Sequence, residues 1–241
     1  MALDLKSSPD SDRIHAVRLR TGRPLFELAV GYGLILATIW TPRPWQQWLY
    51  CVAVAWILVT TALSFPGWEA MGFRRGGLMR SLWVVFAAAI FSACAIAVAI
   101  HIDTIRHPIN ARGWVMTFGG YVVWSFVQQF LLQGYFLFRL IRLLPRREWA
   151  AVAAAGIFAA AHLPNPILTP VTLIWGLCAC FVFLRCRNLF PLAVAHALLG
   201  ITVAITIPGP VVRNMRVGLG YLRYHAPRAH APGLEPSPVR Q

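Results

Sequence analysis

Two histidines and three glutamines stand out among the polar residues in the strongly apolar stretches of this 241-residue chain, where polar side chains are costly. The glutamines are Gln128, Gln129 and Gln133, and the histidines are His162 and His196. An imidazole can take up a proton near neutral pH, whereas a primary amide only donates and accepts hydrogen bonds. The residue types therefore predict a buried polar site in which a histidine would be the base and amides would be hydrogen-bond donors.

The spacing of the glutamines places two of them on one helix face. Gln129 and Gln133 are four residues apart, and Gln128 is turned by about 100° from Gln129. Three amides in one span need several partners, because a buried polar group without a hydrogen bond costs free energy. One interpretation is that they form interhelical hydrogen bonds that hold a bundle together. The other is that they belong to a reactive site.

His162 ends a short apolar stretch and is followed by Leu-Pro-Asn-Pro. Phe158 precedes it by four residues, so the aromatic ring can pack on the imidazole. The stretch 149–163 covers only about 22 Å as a helix, so it can end at membrane depth. Irregular backbone at that depth is tolerated where it is buried in protein or lines a wet cavity. We therefore expect a cavity wall that includes Asn165, with a purely structural histidine as the alternative.

His196 lies near the middle of the last apolar stretch and has no charged neighbour, so it needs a hydrogen-bond partner. His162 or one of the glutamines could supply it. No Asp or Glu occurs in 104–147 or in 149–234, so a paired-carboxylate mechanism is not built into this region. Zinc takes three or four ligands, and two histidines make a weak case for it. The sequence predicts no cofactor, and a divalent metal is only weakly supported.

The elements that position these residues are predicted to be membrane helices. Hydrophobic residues make up 58% of the chain and charged residues 12%, against about 25% charged in a typical soluble domain. Spanning the hydrocarbon layer takes about 20 helical residues. The sequence therefore predicts an all-α, polytopic transmembrane helical bundle of about 6–8 membrane helices. The apolar stretches are 25–40, 45–65, 81–102, 113–138, 149–163, 167–185 and 189–207.

The basic excess, 22 Lys and Arg against 8 Asp and Glu, is distributed between the apolar stretches rather than in one patch. This distribution favours contact with anionic membrane lipids and argues against nucleic acid as a partner. Counting Lys and Arg between the stretches favours a cytoplasmic N-terminus, although the basic C-terminal segment then falls outside. We expect an integral protein of a bacterial inner membrane.

The two ends of the chain are polar. Residues 1–24 are predicted to be a basic, disordered leader, without the apolar core of a signal peptide. Residues 25–210 form the predicted transmembrane domain. Residues 211–241 are predicted to be a basic, disordered tail. The five cysteines form no CxxC pair and are interpreted as small apolar packing residues.

The order of these motifs resembles the CPBP family of intramembrane proteases, which includes the CAAX prenyl endopeptidases, and the resemblance covers roughly residues 65–210. The family motifs are Glu-Glu-x-x-x-Arg, Phe-x-x-x-His and His-x-x-x-Asn or Asp, on successive core helices. Phe158 and His162 fit the second motif, and His196 fits the start of the third. The chain departs from the family at Gln128, Gln129 and Gln133, which stand at the Glu, Glu and Arg positions, and at Gly200, which stands at the Asn or Asp position.

The resemblance implies an intramembrane endopeptidase that cleaves a peptide substrate near a lipidated or membrane-embedded terminus. In the family a glutamate is thought to activate water, which a glutamine cannot do. His162 or His196 would therefore have to be the base here. Gln128, Gln129 or Asn165 would donate hydrogen bonds to the oxyanion, with supporting positions at Gln133, Phe158 and Gly200.

The loss of both motif glutamates also motivates an alternative function. In this alternative the chain is a catalytically inactive relative, or a non-proteolytic acid-base enzyme. It would bind a lipid, an isoprenoid or a membrane partner in the same cavity.

Overall fold

The structure is a computed structural model that describes residues 9–74, 76–106 and 111–225. No strand occurs in these ranges, which confirms the predicted all-α class. The elements are α1 (Pro9–Trp40), α2 (Trp45–Leu63), α3 (Leu78–His101), α4 (Ala111–Gln129), a π-helical segment (Phe130–Leu137), α5 (Phe138–Leu143), α6 (Arg147–Ala160), α7 (Leu168–Cys186), α8 (Phe190–Thr206), α9 (Gly209–Val212), a 3₁₀ turn (Arg213–Met215) and α10 (Gly218–Leu222).

Among the described residues, four helices are long and apolar enough to cross a membrane: Gly22–Trp40 within α1, and α2, α3 and α7. Helix α8 is apolar but shorter. Many large apolar side chains of these helices face outward, such as Val59 of α2 and Phe86 and Ile90 of α3. An apolar surface of this extent is stable against lipid and not against water. The chain is therefore an integral membrane protein.

The glutamine-bearing stretch is a continuous helical run from α4 through the π-helical segment into α5. The sequence predicted an ordinary helix over 113–138, and the structure changes to π-helical geometry between Phe130 and Leu137. Single-turn π-bulges are frequent at functional sites, and this segment is longer than one turn. Most of its residues are buried, including Leu132, Gln133 and Tyr135. The π-helical segment thus lies in the centre of the bundle.

Helices α6 and α7 approach closely because small residues lie between them. Ala151, Ala154 and Ala155 of α6 are fully buried. A Cβ added at Gly176 of α7 would lie 3.3 Å from the Cα and Cβ of Ala155. Small residues are what allows membrane helices to pack closely. Helix α6 has 14 residues, or about 21 Å, so the prediction of a short stretch before Leu-Pro-Asn-Pro is confirmed.

Helix α1 is fixed to the core by a buried ion pair. The Arg139 Nε donates to Glu27 Oε2 at 3.0 Å, and Nη2 lies 2.9 Å from the same oxygen. The backbone carbonyl of Glu27 accepts hydrogen bonds from the Tyr135 hydroxyl at 2.7 Å and from Trp56 Nε1 at 3.3 Å. Glu27 therefore connects α1 to α2, the π-helical segment and α5 at one place.

Both ends of the chain are more ordered than the sequence predicted. Helix α1 begins at Pro9, so the leader is helical from that residue onward. The predicted disorder of the tail is wrong for residues 211–222, which fold into α9, the 3₁₀ turn and α10. The Gly218 amide donates to the Leu163 carbonyl at 2.8 Å, a tertiary contact that composition does not reveal. Residues 1–8 and 226–241 lie outside the described part of the chain.

Candidate functional site

A cavity of about 1040 Å³ lies between the α1–α2 hairpin and the core helices. Its wall is mostly apolar, and both predicted histidines line it, together with Gln128, Phe158 and Gly200. Within the described ranges, the residues that line it include no Asp, Glu, Lys or Arg. The volume is at the upper end of typical ligand pockets. The cavity therefore suits a large apolar ligand that carries a few polar groups.

Gln129 and His196 form a buried hydrogen-bonded pair. The amide nitrogen of Gln129 lies 3.0 Å from His196 Nδ1, which confirms that a glutamine is the partner of this histidine. With the amide nitrogen assigned to this side, Nδ1 accepts and the proton of the neutral ring lies on Nε2. Gln129 Oε1 accepts in turn from Gln133 Nε2 at 3.5 Å. Because Nδ1 of His196 accepts from Gln129, Nε2–H is the group through which this ring can donate a hydrogen bond.

His162 has the opposite hydrogen-bonding pattern. Its Nδ1 lies 2.7 Å from the carbonyl oxygen of Phe158, which can only accept, so Nδ1 carries the proton. This contact is available because α6 ends at Ala160 and the His162 amide bonds to Ala159 instead. Nε2 keeps its lone pair and makes no hydrogen bond to the residues that the structure describes. His162 is therefore the imidazole that can accept a proton.

The Phe158 ring contacts both histidines. Its centroid lies 4.9 Å from that of His162 and 5.9 Å from that of His196, and both contacts are edge-on. Trp175 of α7 adds a second aromatic contact to His196 at 5.9 Å. The two imidazoles, which come from different helices, are thereby brought to one region of the cavity. The packing of Phe158 on His162 that their four-residue spacing predicted is confirmed.

The two adjacent glutamines face different surroundings, as their 100° separation predicts. Gln128 lines the cavity and is partly exposed. Gln129 and Gln133 are buried and are not among the cavity-lining residues. In the described part of the chain Gln133 Oε1 has no hydrogen-bond partner. Gln128 is therefore the glutamine that is placed to contact a ligand.

Asn165 is near His162 in sequence, but its amide is engaged elsewhere. Nδ2 donates to the carbonyl of Val212 at 2.9 Å and to that of Arg216 at 3.0 Å. Oδ1 accepts from the amides of Ile167 at 3.1 Å and Leu168 at 3.0 Å. Asn165 thereby ties the segment after α8 to the turn between α6 and α7. Donation to a substrate would require one of these bonds to break.

Gly200 lies against Tyr121 of α4, a residue that sequence reasoning did not select. A Cβ added at Gly200 would overlap the hydroxyl oxygen and ring of Tyr121. Both residues line the cavity. The sequence did contain a signal for Tyr121. It precedes Gln128 by seven residues, or two helical turns, which places both side chains on one helix face.

A metal site finds no support in the described ranges, where no group of three or more His, Cys, Asp or Glu side chains is placed to hold an ion. In the part of the chain that the structure describes, two of the five cysteines lie near the cavity or in the core without forming a metal-binding group. Cys178 lines the cavity without such a group around it, and Cys180 is buried in the core. The absence of a metal cofactor stays a prediction.

Comparison with known proteins identifies the segment that contains the site. Residues 110–202 match the family described as type II CAAX prenyl endopeptidase, Rce1-like. This segment is narrower than the 65–210 predicted, but it contains every predicted site residue. No curated protein and no solved structure matches the chain. The assignment of the glutamines to the Glu and Arg positions of the family motif stays a prediction. The resemblance is thus confirmed for residues 110–202, which are similar to the Rce1-like type II CAAX prenyl endopeptidases.

Proposed function

We propose that this protein is an intramembrane endopeptidase of the CAAX type in which His162 is the general base. The observation that carries the proposal is the opposite hydrogen-bonding pattern of two imidazoles that line one cavity. His162 keeps a free acceptor nitrogen, and His196 keeps a donor. A neutral imidazole is a suitable base near neutral pH, and a fixed N–H suits an oxyanion.

The reaction follows from these two roles. Water attacks the carbonyl carbon of the scissile peptide bond while His162 Nε2 takes up a proton from the water. The oxyanion that forms on the carbonyl oxygen accepts hydrogen bonds from His196 Nε2–H and from the Gln128 amide. His162 then gives its proton to the amine nitrogen as the C–N bond breaks. The products are a carboxylate and an amine.

The apolar wall of the cavity supports a lipidated or membrane-embedded substrate terminus. Helices α1 and α2 contribute Ile35, Val54 and Ile57, and α3 contributes Val84 and Phe91. Each CH₂ group that leaves water for such a wall contributes about 0.8 kcal/mol. A lipid chain therefore provides binding energy remote from the reacting bond, which can hold the peptide at the histidines.

We further propose that the chain lies in a bacterial inner membrane with its N-terminus in the cytoplasm. The distribution of Lys and Arg between the apolar stretches supports this orientation. A cysteine placed in the leader and labelled in intact cells with a reagent that does not cross membranes would test it. The five native cysteines must first be replaced. Labelling without permeabilisation would contradict the proposed orientation.

The endopeptidase proposal is tested with the full-length protein in detergent and a pair of C-terminal peptides of equal sequence, one prenylated and one not. Products are identified by mass spectrometry. We expect cleavage of the prenylated peptide, and a loss of roughly 100-fold or more in initial rate for His162→Ala. His101→Ala is the matched control, since His101 is exposed at the end of α3. Equal rates for wild type and His162→Ala would show that His162 is not the base.

A second candidate function, binding without cleavage, is favoured by one observation. The described residues of the cavity wall include no carboxylate, the group that is thought to activate water in the family. Trp83, Trp124 and Trp175 line the cavity and would report binding through their fluorescence. Saturable quenching by the prenylated peptide, with no product from it, would favour this function over the endopeptidase.

A further inference from the structure

Tyr121 occupies space that only glycine at position 200 leaves free. The atoms nearest to an added Cβ at Gly200 are the hydroxyl oxygen, Cζ and Cε1 of Tyr121, and all three would overlap it. Helix α4, which carries the tyrosine, packs along α8, which carries the glycine. Any larger residue at 200 would displace the phenol ring or separate the two helices. The two residues therefore form a matched pair that brings a phenol oxygen onto the surface of α8.

This oxygen lies close to the proposed reaction site along both helices. Gly200 follows His196 by four residues, on the same face and about 6 Å further along α8. Gln128 follows Tyr121 by two turns, about 10 Å along α4. All four residues line the cavity. A peptide that contacts His196 is therefore within one helical turn of the Tyr121 hydroxyl.

Ser125, one turn further along α4, lies within reach of the Tyr121 hydroxyl and can donate to its oxygen. The phenol O–H is then still a donor, and in an apolar wall it needs an acceptor once a ligand excludes water. A peptide supplies carbonyl oxygens on both sides of the scissile bond, and these accept hydrogen bonds. We infer that Tyr121 contacts the substrate, with its O–H donating to a peptide carbonyl, as a third polar contact beside His196 and Gln128. The identity of the ligand rests on the proposed function.

The first test is Tyr121→Phe, which keeps the ring against Gly200 and removes only the oxygen. The matched control is Tyr221→Phe, which removes the phenol oxygen of a residue that is not among the cavity-lining residues. One neutral hydrogen bond corresponds to roughly a three- to tenfold effect. We expect kcat/KM for the prenylated peptide to fall by about that factor in Tyr121→Phe and to stay within about twofold in Tyr221→Phe. Equal values for the two variants would overturn the inference.

A binding measurement separates this inference from the proposed function. In the His162→Ala background the peptide stays intact, and the tryptophans of the cavity report its binding. Tyr121→Phe should raise the Kd of the prenylated peptide by about three- to tenfold, whereas Tyr221→Phe should leave it unchanged. If the wild-type protein binds the peptide but does not cleave it, the proposed endopeptidase activity is contradicted. The Kd values of the two tyrosine variants can still be compared in that case. Equal Kd values in the two variants contradict the role of Tyr121.

Replacing both side chains tests whether a hydrogen-bond donor at this place contributes to peptide binding. Gly200→Asn alone should lower peptide affinity, because the new side chain displaces the phenol. Tyr121→Leu frees the space, and its combination with Gly200→Asn places an amide donor where the phenol was. We expect the double variant to bind the peptide more tightly than Tyr121→Leu alone. No gain in a double variant that elutes as a folded protein would contradict donation at this position.

Discussion

Gln128 and Gln129 are neighbours in sequence, yet Gln128 lines the cavity and Gln129 is buried against His196. A helix turns by about 100° per residue, so adjacent side chains cannot serve the same surface. One is placed to meet a ligand, and the other fixes the tautomer of a histidine. Replacing each glutamine by leucine should therefore have different effects, on the cleavage rate at position 128 and on the stability of the protein at position 129.

Gln129→Leu should destabilise the protein by about 1–3 kcal/mol, because it leaves the buried His196 Nδ1 and Gln133 Nε2 without their partner. Gln128→Leu should cost less stability and should lower the cleavage rate. Thermal unfolding in detergent, followed by circular dichroism, gives the comparison. A larger loss of stability in Gln128→Leu would contradict the two assignments.

At the level of single residues, sequence reasoning succeeded where contacts are local. The packing of Phe158 on His162 follows from a four-residue spacing within one helical turn. The different surroundings of the glutamines follow from the same geometry. Tyr121 was missed because its contact with Gly200 depends on how α4 packs against α8. The engagement of Asn165 was missed for the same reason, since its partners lie beyond α8.

At the scale of elements, the turn between α6 and α7 and the segment after α8 form one unit. Asn165 joins them with two donated hydrogen bonds and stabilises the start of α7 with two accepted ones. Met215 and Val217 of the segment line the cavity. The segment that was predicted to be a disordered tail is thus part of the wall. Asn165 holds it with two hydrogen bonds, beside the one from the Gly218 amide to the Leu163 carbonyl.

Asn165→Ala should release the segment after α8, because both of its tertiary hydrogen bonds to that segment are lost. Trypsin in detergent should then cleave after Arg213 or Arg216 at least several times faster than in the wild type, as read by mass spectrometry. The control is Asn214→Asp, because Asn214 is exposed, its positive φ of 49° is tolerated by Asp, and the one hydrogen bond that the structure shows for its side chain is to the Tyr224 hydroxyl at 3.4 Å. Unchanged cleavage in Asn165→Ala would show that other contacts hold the segment.

The limits of the helices were predictable to within a few residues in most cases. The stretch 45–65 corresponds to α2 (Trp45–Leu63), and 167–185 corresponds to α7 (Leu168–Cys186). Pro66-Gly67 follows the first of these runs, and Pro164 and Pro166 precede the second. These residues interrupt helices and so set those boundaries. The π-helical segment was not predictable, because its residues are as apolar as those of an ordinary membrane helix and its geometry depends on packing in the bundle.

At the scale of the whole molecule, the cavity is lined by α1, α2 and α3 together with helices of residues 110–202, and α1 is attached to those helices. The attachment includes the buried pair of Glu27 and Arg139, which are 112 residues apart. Composition predicted a membrane bundle because a high apolar content of the whole chain is enough to indicate one. It could not predict this pairing, since nothing local to either residue signals the other.

Glu27→Ala should destabilise the protein by about 3–5 kcal/mol, because it leaves the buried Arg139 guanidinium without its counterion. Arg23 also bonds to Glu27, at 2.8 Å, but its side chain is 58% exposed, so Arg23→Ala should cost about 0–1 kcal/mol. Unfolding temperatures in one detergent give both values. The double variant Glu27→Leu with Arg139→Met should recover most of the loss, since no charge is then buried. An equal loss in the Arg23 and Glu27 variants would contradict a buried anchor.

The central claim is that His162 activates water in a site whose motif positions for glutamate are predicted to hold glutamine. The most direct test is the initial rate of cleavage of one prenylated peptide by wild type, His162→Ala and His101→Ala, purified side by side in the same detergent. Wild type and His101→Ala should cleave the peptide, and His162→Ala should cleave it at a rate lower by roughly 100-fold or more. Cleavage by His162→Ala at the wild-type rate would contradict it, as would no cleavage by any of the three while a glutamate-containing relative cuts the same peptide.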